Sequence, residues 1–85
     1  MNNFDFKKII QEAVQEAADS VKKETESPNV EQVVKTIDAV NMIEEIVRDT
    51  IQGMNLDPEQ LGADKVKEIA RGSAKAAIKE GLKRL

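Results

Sequence analysis

The C-terminal quarter of the chain reads Val66-Lys67-Glu68-Ile69, Ala70-Arg71-Gly72-Ser73, Ala74-Lys75-Ala76-Ala77, Ile78-Lys79-Glu80-Gly81, Leu82-Lys83-Arg84-Leu85. Each quartet opens and closes on an apolar or small residue and carries a cation in second place. Residues four apart stand nearly above one another on a helix. The spacing therefore draws a double row of apolar and small side chains with a cationic row beside it.

The same quartets recur upstream. Phe6-Lys7-Lys8-Ile9, Ile10-Gln11-Glu12-Ala13, Val14-Gln15-Glu16-Ala17 and Ala18-Asp19-Ser20-Val21 predict a first helix over about 4–24. Asn2 or Asn3 is its expected cap, with Asp5 in the first turn and Lys22 and Lys23 near the end, as the helix dipole favours. Ser27-Pro28 ends that helix and starts the next, because proline forces its predecessor out of helical geometry and suits a first turn. A second helix is expected over about 28–52, with Gly53 behind it and Met54 making the following apolar contact. Glu31–Lys35 and Glu44–Arg48 are favourably spaced ion pairs on it. Asp57-Pro58-Glu59 predicts one short helical turn over 58–61, closed by Gly62, with Leu56 and Leu61 plugging the end of the core. Asp64 then caps a third helix over about 64–84.

Three rods of similar length, joined by one tight and one looser connection, predict an all-α fold: an up-down-up three-helix bundle, with the short turn before the last helix, in a single domain over 1–85. The expected core is Phe6, Ile9, Ile10, Val14 and Val21; Val30, Val33, Val34, Ile37, Val40, Ile43, Val47 and Ile51; and Val66, Ile69, Ile78 and Leu82. Rows four apart favour steep crossings, so the bundle is expected to splay. Ala13, Ala17 and Ala18 against Ala70, Ser73, Ala74, Ala77 and Gly81 predict a close approach of the first and last helices. Glycine inside a helix is unfavourable by up to about 1 kcal/mol, so Gly81 points to packing rather than helix propensity.

The chain has 85 residues, 40% of them apolar and 34% charged. That is too periodic for disorder and too charged for a membrane span. The start carries no cationic, apolar leader and the chain has no cysteine, so a reducing, cytoplasmic location is the default expectation. A domain this small gains stability by association, which makes an oligomer a reasonable expectation.

The toolkit for catalysis is thin. Histidine, cysteine, tyrosine and tryptophan are all absent, so a serine has no imidazole to activate it. No glycine loop for phosphates is present. Zinc and copper lack imidazole and thiolate, a di-iron bundle site lacks its Glu-x-x-His units, and no calcium loop occurs. The expectation is no enzyme activity, no catalytic residues, no metal, no cofactor and no small-molecule substrate.

Two surface features remain. Residues 1–62 hold 13 acids and 6 bases, net −7, whereas residues 63–85 hold 3 acids and 7 bases, net +4. The basic stripe Lys67, Arg71, Lys75, Lys79 and Lys83 either contacts a polyanion or lies against Glu12, Glu16, Asp38, Glu45 or Asp49 within the bundle. Overall acidity and the presence of only two aromatics, Phe4 and Phe6, favour the internal reading and disfavour nucleic acid. The last helix also lacks the bulky apolar face of a membrane-surface helix.

The other feature is a slip of phase at Asp38–Met42 in the second helix. At 100° per residue, the Ile43–Met54 units face roughly 120° or more away from the Val30–Ile37 units, and Ala39, Met42 and Ile46 fall on the side expected to be solvent. Either a helix packed by two neighbours needs a wide apolar face, or this side is a patch for another chain. The three residues form the candidate contact for a protein partner or a second copy, since methionine suits adaptable interfaces. The leading expectation is a small non-enzymatic interaction protein of inhibitor, adaptor or self-associating type. The alternatives are a polyanion-binding module using the last helix, and a designed or purely structural bundle. Gly72, Gly81 and the slip weigh against design, which keeps glycine out of helix interiors.

Overall fold

The computed structural model describes residues 4–85, which contain five helices and no strand. The helices are α1 (Phe6–Thr25), α2 (Val30–Thr36), α3 (Ala39–Gly53), α4 (Pro58–Leu61) and α5 (Ala63–Lys83). The all-α helical bundle is as the quartets indicate, but the middle rod is two helices, α2 and α3, broken at Ile37–Asp38.

Helix ends show which polar groups won the capping positions. Asp5 sits outside α1 and its carboxylate accepts the Lys8 amide at 3.1 Å. The start is thus Phe6 rather than Phe4; Asn2 and Asn3, the expected caps, lie outside the described residues. Glu26 in the left-handed region closes α1, its amide donating to the Lys22 carbonyl at 2.8 Å. Asn29, not Ser27, precedes α2, and the Ser27 hydroxyl accepts the Asn29 amide at 3.3 Å, leaving Pro28 in the turn. At the far end of α3 the left-handed residue is Asn55 (φ 60) rather than Gly53, and the Leu56 amide reaches back to the Ile51 carbonyl at 3.3 Å. Met54 stays 44% exposed, so the contact expected of it falls to Leu56, which packs on the core. Asp57-Pro58 starts α4 as expected, with Gln60 Oε1 accepting the Asp57 amide at 2.7 Å. Gly62 (φ 94) both ends α4 and begins α5, which moves Asp64 into the first turn.

The pairs between rods give their directions. Glu16 of α1 meets Lys67 and Arg71 of α5, and two turns on Glu24 meets Lys75 and Lys79, so α1 and α5 run the same way. Arg48 of α3 lies 4.6 Å from the centre of the Phe6 ring at the start of α1, so α3 runs the opposite way. One cluster of buried side chains fills the space between α1, α2, α3 and α5. Its large members are Ile10, Ile43, Ile51, Ile78, Val21, Val30, Val47 and Val66. Phe6, Ile9, Val34, Ile37, Val40, Ile69 and Leu82 pack on its rim, only partly buried, whereas Ala13, Ala17, Ala18, Ala39, Ala70 and Ala74 are wholly inside. The α1–α5 interface is the most extensive in the molecule, as the rows of alanine require: small side chains let backbones approach, and more of each helix is in contact.

Gly81 serves a different neighbour from the one expected. A Cβ on it would lie 2.5 Å from Val33 Cγ1 and 3.8 Å from Ile37 Cγ2, so its missing side chain admits α2, not α1. No helix among the described residues is long and apolar enough to cross a membrane.

Candidate functional site

The basic stripe forms an electrostatic ladder between α5 and α1. Lys67 pairs with Glu16 and lies 3.8 Å from Glu12. Arg71 reaches Glu16 at 2.9 Å. Lys75 and Lys79 each reach Glu24 at 2.8 Å. Four of the five predicted cations are thereby turned onto α1; Lys83 has no ion pair among the described residues. Of the expected acids Glu12 and Glu16 take part, while Asp38, Glu45 and Asp49 do not. Glu24 was missed, because it stands at the end of α1 where a carboxylate opposes the helix dipole. Its two lysines supply the compensation. Elsewhere Arg48 pairs with Glu44 as expected, and Glu31 takes Lys22 of α1 at 3.2 Å in place of Lys35.

The ladder sets the charge states. Hydrogen bonds from Lys75 and then Lys79 hold the Glu24 carboxyl at about 2, down from 4.5. Hydrogen bonds from Lys67 and then Arg71 lower Glu16, and the bond to Glu16 raises Lys67. A carboxyl whose pKa falls on folding stabilises the fold above its unfolded value and loses that contribution as pH drops through its folded value. The Glu24 contribution is therefore complete above about 4.5 and gone below about 2. The Lys67 contribution has the opposite sense: it is complete below 10.5 and is lost as pH rises through its raised value. All these side chains are solvent-accessible, so salt should weaken the effect. We expect the melting temperature to fall through the acid window, and Glu24→Gln to flatten that fall relative to the native chain. In about 1 M salt, where the Debye length is about 3 Å, the two curves should converge. Thermal melts followed by circular dichroism across pH check this; parallel curves at low salt would discount the ladder.

The second candidate divides. Ala39 is only 1% exposed and belongs to the core, against expectation. Its spacing is the cause: Ala39 stands four residues before Ile43 and shares the inward face of Ile43, Val47 and Ile51. The break at Ile37–Asp38 turns α3 relative to α2, so that this face and the Val30 and Val33 face of α2 both meet the core. Met42 and Ile46, on the next face, remain 36% and 39% exposed. Beside Met42 lies an apolar cleft of about 230 Å³ lined by Ile37, Ala77 and Gly81, with Glu80 and Arg84 at its edge. On the opposite flank of Met42 and Ile46, helical spacing places Glu45 and Asp49 in one row, one turn apart. Both are exposed, and neither is in an ion pair among the described residues. The cleft was not legible in the sequence, since it depends on the bend bringing Ile37 over α5.

Two larger hollows of about 540 Å³ are open to solvent, the first mainly apolar in surface, with Leu82 and Leu85 in its lining, and the second mixed. One lies between Glu24, Asn29, Lys79 and Lys83, the other between Phe6, Arg48 and the α4 turn. In the first, the Thr25 and Ser27 hydroxyls share the hollow with Glu24 and Lys79, but their hydrogen bonds go to backbone groups. Among the described residues no cluster of acidic side chains is arranged to hold a metal ion. Compared with known proteins, the chain matches no family model, no curated protein and no solved structure.

Proposed function

We propose that this chain is a non-enzymatic protein-interaction module whose contact face is the exposed side of α3, centred on Met42 and Ile46, with the adjoining cleft as a socket. The carrying observation is two large apolar side chains on successive turns, open to water, beside an apolar hollow and the exposed acids Glu45 and Asp49. A cleft of about 230 Å³ suits one or two apolar side chains of a partner. The acidic row selects what surrounds them: a segment carrying lysine or arginine. Pairing this face with itself would bring Glu45 and Asp49 of two copies together, and like charges at an interface are unfavourable. The partner is thus a different protein presenting an apolar, basic helix or strand. The cationic row does not favour a polyanion, because its charges already face α1 carboxylates.

A leucine–lysine amphipathic peptide is a defined probe. It should shift the amide resonances of residues 37–49 and 77–84. Met42→Glu and Ile46→Glu should each weaken its binding about tenfold or more, as expected for a buried apolar anchor. Asp49→Lys should weaken it mainly at low salt. Shifts scattered over the whole surface, or binding indifferent to Ile46→Glu, would refute the assignment.

A further inference from the structure

The middle rod breaks with neither proline nor glycine at the joint. Asp38 instead takes φ 52, ψ 57, a left-handed conformation in which a Cβ is disfavoured. Its carboxylate accepts from Asn41 Nδ2 at 2.7 Å. It gives no side-chain cap to α3, and its own amide turns back to the Lys35 carbonyl at 3.1 Å. Continuing the helix through Asp38 would form about four regular ladder bonds in place of these. Local energetics therefore favour a straight rod, and tertiary packing holds the bend.

The bend has a clear purpose. On a straight helix, Val30, Val33, Val34 and Ile37 would point roughly 100° away from Ala39, Ile43, Val47 and Ile51. One α1–α5 body cannot cover both faces of such a rod. Two bodies can.

We propose that straightening at Asp38 lets the chain exchange α1 and α2 with a second copy, forming a domain-swapped dimer. Each α1–α2 pair then packs on the other copy's α3 and α5 through the contacts that close the monomer, the Glu16 and Glu24 ladder and Val33 on Gly81 included. Swapping of this kind is a low-cost route to a dimer because only the hinge changes. New contact forms where the two rods pass each other. There Val34, Ile37 and Val40 each keep part of their surface in water in the closed chain. The proposal does not rest on the Met42–Ile46 face.

The test uses hinge variants of the full chain, refolded at high concentration from an equal mixture of light and nitrogen-15 copies. Asp38→Ala makes the left-handed conformation less favourable and the helix more so. It should tighten dimerisation about tenfold per hinge, hence about a hundredfold per dimer. Asp38→Gly should act in the opposite sense and leave a monomer. Zero-length carbodiimide cross-linking joins Glu24 to Lys75 or Lys79. In the Asp38→Ala dimer about half of those cross-linked peptides should pair light with heavy, as random exchange between copies requires, whereas in the Asp38→Gly monomer none should. Met42→Glu should leave the dimer intact, which separates swapping from association of surfaces. Equal masses for the two hinge variants, or a dimer whose Glu24 cross-links stay within one copy, would overturn the proposal.

Discussion

Ala70→Leu is expected to lower stability by about 3 kcal/mol, at the upper end of what overpacking usually costs. Ala70 is fully buried on α5 between Lys67 and Arg71, whose shared partner Glu16 is next in sequence to the fully buried Ala17 of α1. The two helices thus approach here on small side chains. Three added carbons must push the backbones apart, and the ladder beside them opens as well. For a chain of this length the whole stability is roughly 4–13 kcal/mol, so the loss is a large share of it. It should appear as a fall in melting temperature of more than about 10 °C. Ala76→Leu is the control. Ala76 lies on the exposed side of the same helix, the two residues have similar helix propensity, and surface changes usually stay within about 0.5 kcal/mol. Urea unfolding of the two variants separates the alternatives: equal midpoints would mean that the alanines were chosen for helix formation and not for close approach.

The alanine rows were readable because they obey one rule throughout. Residues four apart share a face, and α1 and α5 contain no interruption to that rule. The same holds for Asp57-Pro58, where capping chemistry and a fixed proline φ act within four residues. What escaped the sequence lies where a local preference was overruled from a distance. Nothing in Thr36-Ile37-Asp38-Ala39 forbids a helix, and the straight reading sent Ala39 to the surface. Its burial was legible after all, since it stands four and eight residues before the core residues Ile43 and Val47; what was not legible is the bend that lets this face and Val33, resting on Gly81, be buried together. The slip of phase was the visible trace of that conflict, yet phase alone does not say whether a helix bends or carries a second apolar face. Met42 and Ile46 kept their place because they lie beyond the rotated core stripe. Glu24 was hidden for a related reason: its position opposes the dipole of its own helix, and its two partners are more than fifty residues away.

Gly81→Leu should be comparably damaging, with a loss of about 3 kcal/mol, and Gly81→Ala reveals why. In an open helix interior the alanine change would stabilise by about 1 kcal/mol. Here the added methyl would sit 2.5 Å from Val33 Cγ1. Val33 is 2% exposed and β-branched, so its side chain has no second good rotamer to retreat into. We expect the clash to outweigh the propensity gain and Gly81→Ala to destabilise by about 1 kcal/mol net. Val33→Ala removes the offending methyl. The next atom, Val33 Cβ, would then stand 3.8 Å from the new carbon, an ordinary contact. The double variant Val33→Ala with Gly81→Ala should therefore be more stable than the sum of the single losses allows, by about 1 kcal/mol or more. A double-mutant cycle in urea measures that coupling. Strict additivity, or a Gly81→Ala chain more stable than the native one, would mean that α2 lifts from α5 at little cost. The bend at Asp38 would then lack the tertiary contact argued to hold it.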